Sequence, residues 1–357
     1  MEILLIGEAS GVHHNLKKGL LELGHDVEHK ILYGSAQGRS NDGSFAPISK
    51  GIIGGIKRNI SPLVTANSLK QYDVINFINT ITAVHGQYTK YLDLPILNRK
   101  AKKLSYYALG CDELGLIRRS HLNFAYSPCS TCLSSGEMLG RDCENKLNPI
   151  YDKSIERAEK YLDVGASSMI DYDHVSDIFK DKPFSRIPLP IDTETINFNP
   201  AKKNKKITIA HSPTRRGFKG TDAVLKAMSI LNNQRNDYEF IIIEGIPFKE
   251  YIKVMKNVDI VIDQVYGQSP GMNALEMLAA GKIVFTGATE LGKSYFDFMQ
   301  NFPGFDASPD PIRLANKLSE ILDSQHMFAE WSEYGREYIE ENHNCITVAN
   351  QFVSLWS

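Results

Sequence analysis

Two stretches gather residue types that could handle a phosphorylated ligand. The first, His211–Asp222 (HSPTRRGFKGTD), sets Arg215, Arg216 and Lys219 in a short loop. It follows an apolar run and opens a helix for which Thr221 is the expected cap. Amide N–H groups at a helix start, beside three cations, suit an anion; an exposed basic loop is the plainer alternative. The second stretch is Asp263–Lys282 (DQVYGQSPGMNALEMLAAGK). Gly267, Pro270 and Gly271 predict a turn that a ligand can approach closely, with the amides of Met272 and Asn273 heading the next helix. Glu276 lies about one turn in, and Gly281 ends the helix. A carboxylate there could accept two hydrogen bonds from a ribose diol; the alternative is a glutamate facing solvent.

Other residues compete for attention. Gly287–Ser294 (GATELGKS) fits the P-loop pattern and follows a strand. It comes late in the chain, and no apolar strand ending in Asp follows to hold magnesium, so it reads as the loop after the glutamate helix. Cys129-x-x-Cys132, with Cys111 and Cys143 nearby, could hold zinc, but a second C-x-x-C pair is missing. Small buried thiols and no metal are expected. His13 and His14 follow the first loop, facing the expected cleft, with an acceptor or catalytic role set against a surface role at a helix start; Asp112 ends another strand and is a candidate acceptor contact. Trp331 and Trp356 read as packing residues of terminal helices.

The elements that must position these residues alternate. Glu2–Ile6 reads as a buried strand, Gly7–Gly11 as a small-residue loop, His13–Leu23 as a helix and Asp26–Leu32 as the next strand. Val74–Phe77, Leu104–Ala108, Asp163–Ala166 and Ser185–Ile187 read as further strands, and Ile155–Tyr161 as a helix. A boundary follows at IPLPIDTETINFN, and residues 200–206 form a polar, basic linker. Strands then recur at Ile207–His211, Phe240–Ile243, Ile260–Ile262 and Ile283–Thr286, with helices at Asp222–Leu231, Tyr251–Asn257 and Met272–Ala280. Ile312–Leu322 and Glu330–Leu355 are expected to be helical. Strands every 20–30 residues with helices between them predict two α/β domains, each a doubly wound parallel sheet, with a ligand cleft between.

Composition agrees with this and removes other classes. With 357 residues, two domains are favoured over one. Lys plus Arg is 40 and Asp plus Glu 42, a net charge of −2 that argues against nucleic acid held by bulk charge. Five cysteines at uneven spacing make a poor disulfide framework and point to a reducing compartment. The start MEILLIGEAS lacks the basic and longer apolar runs of a signal peptide, and no apolar stretch reaches a membrane span. A cytoplasmic protein is expected, with at most peripheral membrane association.

AHSPTRRGFKGTDAVLKAM followed by DQ…G…GMNALEMLAAGKIV resembles the retaining, family 4-like nucleotide-sugar glycosyltransferases of the GT-B fold. The resemblance is specific over about Pro188–Phe285 and architectural before that. It implies an acceptor-binding domain over 1–187, a nucleotide-sugar domain over 200–330, and a terminal helix, 331–357, packing back on the first. It also implies transfer of a sugar from a nucleoside diphosphate to a hydroxyl of a sugar or glycolipid, with retention, in polysaccharide or glycoconjugate synthesis. Lys219 matches the lysine that neutralises the diphosphate; the usual arginine position holds Thr214, so Arg215 or Arg216 takes its place. Glu276 matches the second of two family glutamates, the ribose binder, while the first is Gln268 here. Gly11, Gln268, Gly271, Met272, Asn273 and Glu276 are the implied donor contacts. No cofactor, metal or dedicated general base is implied, since the leaving phosphate can take the acceptor proton. A non-catalytic sugar-nucleotide-binding protein, an epimerase or a hydrolase on the same fold are the alternatives.

Overall fold

An apolar run such as ILLI needs cover on both faces, and the strand that carries it, β1 (Glu2–Ile6), is buried from its second residue onward. The computed structural model describes residues 1–33, 42–46, 51–78, 83–84, 91–110, 114, 124–128, 152–203 and 206–357. In the first half β1 is followed by α1 (Val12–Glu22), β2 (Asp26–Tyr33), β3 (Ser44–Ala46), α2 (Gly51–Ser68), β4 (Tyr72–Ile78), α3 (Leu94–Asn98), β5 (Ala101–Ala108), α4 (Asp152–Tyr161), β6 (Val164–Ser167) and β7 (Phe184–Arg186). Its seven strands pair in parallel in the order β3-β2-β1-β4-β5-β6-β7.

The second half holds β8 (Ile207–His211), α5 (Arg216–Lys219), α6 (Thr221–Asn232), β9 (Tyr238–Ile242), α7 (Phe248–Met255), β10 (Ile260–Ile262), α8 (Met272–Ala279), β11 (Ile283–Thr286), α9 (Glu290–Tyr295), β12 (Phe305–Asp306) and α10 (Pro311–Asp323). Its five parallel strands run β12-β11-β10-β8-β9. Strand order reverses between β1 and β4 in the first sheet and between β8 and β10 in the second. Open α/β sheets bind ligands beyond the strand ends at such points. The loops after β1, β8 and β10 are therefore the ones the topology brings forward.

The chain ends with α11 (Phe328–Asn342) and α12 (Cys345–Trp356), where one helix over Glu330–Leu355 is expected from sequence. The break falls at His343 and Asn344, whose side chain caps α12 by accepting from the Ile346 amide at 2.9 Å. That break turns α12 onto α1 of the first domain. The approach is so close that a Cβ at Gly19 would stand 2.0 Å from the Cys345 carbonyl oxygen. Trp356 is buried there and donates its indole N–H to Ser105 at 2.9 Å. Helix α2 carries Gly51, Gly54, Gly55 and Pro62, weak helix formers that leave no helical signal in the sequence.

His343 ties this return to the interdomain segment, donating from Nδ1 to the Leu189 carbonyl at 2.9 Å. Complete burial pushes its pKa down from 6.5 to about 4, so the ring is neutral in the fold. The unfolded chain then binds a proton that the folded chain refuses. The associated stability is full above about pH 6.5 and is lost as pH falls toward 4, by roughly 3 kcal/mol. His343→Asn can keep a donor near Leu189 without titrating. Between pH 7 and pH 4 its unfolding free energy in urea should therefore fall by about 3 kcal/mol less than that of the unsubstituted protein; equal losses would contradict this role.

Candidate active site

The second sheet presents its site from strand ends fixed by buried polar groups. His211, the last residue of β8, donates from Nδ1 to the Ile262 carbonyl at 2.7 Å, and its Nε2 accepts from the Thr221 hydroxyl at 3.0 Å. Burial holds its pKa below the usual histidine value, which keeps this neutral tautomer. Thr221 thus braces the strand end and does not cap α6. The cap is Gly220, at φ 74°, where a side chain would also strike Val265 at 2.2 Å.

Asp263 follows β10 directly and is 1% exposed. Its Oδ1 accepts from Lys219 Nζ at 2.8 Å and from Asn273 Nδ2 at 2.9 Å, and its Oδ2 from Thr286 Oγ1 at 3.4 Å. Asn273 in turn accepts from the Tyr251 hydroxyl at 2.6 Å, whose pKa burial pushes up to about 12. Lys219, Asn273 and Tyr251 are thereby held as one constellation. Asp263, Tyr251 and His211 were not singled out from sequence. The signal for Asp263 was a lone acid ending an apolar strand; nothing local marks the other two.

A cavity of about 700 Å³ opens between the ends of the two sheets. The second domain lines it with Thr214, Arg215, Lys219, Asp263, Gly271, Met272, Asn273 and Glu276, and with Ile243 and Ile246 after β9. Ala9, Ser10, Gly110, Met169, Asp171 and Tyr172 line it from the first. The two arginines part company. Arg215 faces the cavity with its guanidinium 4.0 Å from the Phe218 ring centroid. Arg216 turns to the surface and makes two bonds to Glu244, at 2.8 and 2.5 Å.

Other expected contacts lie elsewhere. His13 does not face the cleft: its ring is buried beneath the first loop, bonded to the Gly7 carbonyl at 2.9 Å and to Asn76 Oδ1 at 2.8 Å. An 11-residue helix on an apolar sheet must bury one face, and His13 falls on it. Burial pushes its pKa well down. His14 borders a second crevice beside residues 192–199. Gly11 is buried at φ 91° and donates its amide to Glu8 at 2.9 Å, while its neighbours Ser10 and Val12 reach the cavity. The Glu8 carboxylate, unmarked in sequence, also accepts from the His14 amide at 3.1 Å and caps α1.

Gln268 lies behind the cavity wall, its Nε2 donating to the Tyr126 carbonyl of the first domain at 3.1 Å. The P-loop-like stretch forms α9, capped by Thr289, and packs on residues 267–269: a Cβ at Gly287 would meet the Gly267 oxygen at 2.5 Å. Asp112, Cys111, Cys129, Cys132 and Cys143 lie outside the described residues. Among the described residues, no three His, Cys, Asp or Glu side chains are grouped to hold a metal.

No family model and no curated protein sequence matches the chain. Solved structures do. Anabaena HepE, solved with UDP and glucose, is similar at a TM-score of 0.60 and 12% identity, over 99% of this chain and 98% of that one. Sucrose-phosphate synthase from Thermosynechococcus elongatus gives 0.62 at 12% identity, over 100% and 98%. The N-terminal domain of Candida albicans trehalose-6-phosphate phosphatase gives 0.59 at 9%, over 99% and 96%. The fold is GT-B-like, with two Rossmann-like domains facing a cleft, and resembles several nucleotide-sugar glycosyltransferases at low sequence identity.

The Lys219–Asp263 pair makes a stability prediction. Lys219→Ala leaves a carboxylate buried without its cation, at a cost of about 3 kcal/mol. Lys219→Ala with Asp263→Asn removes both charges and should recover much of that loss in urea unfolding. A double variant as unstable as the sum of its parts would show that the pair is not coupled.

Proposed function

We propose that the protein is a retaining glycosyltransferase that moves a sugar from a nucleoside diphosphate to the hydroxyl of a sugar or glycolipid acceptor. The observation that carries this reading is one cavity holding Lys219, Arg215, the start of α8 and Glu276 at the topological switch point of a Rossmann-like sheet. In this reading the diphosphate lies against the Met272 and Asn273 amides, where the helix N-terminus favours negative charge. Lys219 and Arg215 balance the charge that grows on the leaving phosphate as the glycosidic bond breaks. Asp263 keeps Lys219 extended toward that position before any ligand arrives. Glu276 accepts from the ribose diol, and Ile243 and Ile246 give the base an apolar surface.

The acceptor enters from the first domain, past Ser10 and Gly110. The leaving phosphate takes the acceptor proton, so no protein base is assigned. Cations and amides carry the charge in this scheme, and transfer should therefore survive EDTA. Activity lost to EDTA and restored only by a divalent ion would reverse that assignment.

The two arginines give a sharper test. Arg215→Ala should lower turnover of a verified donor by about 100- to 1000-fold, the loss expected when one stabilising donor leaves a developing anion. Arg216→Ala breaks a solvent-exposed surface pair and should leave turnover close to that of the unsubstituted enzyme. The reverse pattern would place the diphosphate on the other side of α5. The reading as a whole is tested by screening nucleoside diphosphates and nucleotide sugars for thermal stabilisation, then measuring donor consumption with and without acceptors.

A further inference from the structure

Among the described residues, the first domain contributes one carboxylate to the cavity wall. Asp171 is 6% exposed and sits in the turn between β6 and a short 3₁₀ helix at Asp173–Phe179. It is held against the second domain at the loop that leads into α8. The Gln268 amide stands 3.4 and 3.3 Å from its two carboxylate oxygens, and the neighbouring Ile170 amide donates to Ser269 Oγ at 3.2 Å. The Gln268 side chain cannot supply an acid here. It is turned to the Tyr126 carbonyl, and a negative charge there would face that oxygen.

Ile243, Ile246 and Glu276 line the cavity together with Lys219, Arg215 and the head of α8. Asp171 lies at the loop preceding α8, whereas Glu276 lies a turn beyond its start. A carboxylate repels a diphosphate and, being acceptor-only, attracts hydroxyl donors. We propose that Asp171 hydrogen-bonds hydroxyls of the transferred sugar and sets donor preference. The assignment rests on the glycosyltransferase reading above. It makes the sugar subsite a shared one, with phosphate contacts from the second domain and the sugar contact from the first.

Asp171→Asn keeps an acceptor for the Gln268 amide, removes the charge and turns one acceptor into a donor. The experiment measures Kd for UDP, GDP and ADP and for UDP-glucose, UDP-N-acetylglucosamine, GDP-mannose and ADP-glucose, with kcat/KM for whichever donor turns over. Asp171→Asn should leave the free diphosphate within about threefold and weaken the matching nucleotide sugar by about tenfold or more, as for a lost hydrogen bond to a charged group. Tyr295→Phe serves as a structural control, since it cuts another interdomain bond, to Asp173 at 2.7 Å, outside the cavity. It should leave the ratio of the two constants unchanged. An unchanged ratio in Asp171→Asn, or the same change in Tyr295→Phe, overturns the role of Asp171 alone. A wild-type chain that binds none of these nucleotides overturns the glycosyltransferase reading, and this assignment with it.

Discussion

A carboxylate buried at the end of β10 constrains much of the second domain. Asp263 is almost wholly removed from water, and an isolated charge there would cost several kcal/mol. Lys219, Asn273 and Thr286 meet that demand from three separate segments, and each is thereby fixed. The loop after β8, the head of α8 and the end of β11 share one anchor. A cation held this way needs little reorganisation when an anion arrives, which is what electrostatic stabilisation requires.

The same pair sets a balance. Lys219 faces an acid already, so a diphosphate must share it with Asp263. Arg215 rests on the Phe218 ring and brings positive charge to the cavity from the adjacent turn. Lys219, Arg215 and the start of α8 thus line the same cavity.

Two sets of contacts hold the domains around this site. At the return crossing, Arg336 donates to the carbonyls of Thr193, Ile196 and Ala279 at 2.9–3.0 Å, joining the interdomain segment to α8. Across the cleft, Gln268, Ser269 and Tyr295 meet the turn that carries Asp171 and Asp173. The cavity lies between them. A change in domain angle would move Asp171 relative to Lys219, because the two residues belong to different sheets.

Short-range pattern was enough to show that the chain alternates strands and helices in two parallel sheets, since strand periodicity and glycine breaks are local properties. It also marked Lys219 and the head of α8, because a basic loop and a glycine turn before a helix are contiguous in the chain. Helix α2 stayed hidden behind its own glycines and proline, and the long terminal helix proved to be two. Only the tertiary structure separated Arg215 from Arg216, since adjacent residues differ there in which way a four-residue helix turns them. It sent His13 into the core, where burial of one helix face outweighs the polarity of the ring. It also brought Asp171 beside Gln268 and Lys219 beside Asp263, pairs 97 and 44 residues apart. Buried charge must find its partner in space, and spacing along a chain carries no record of that.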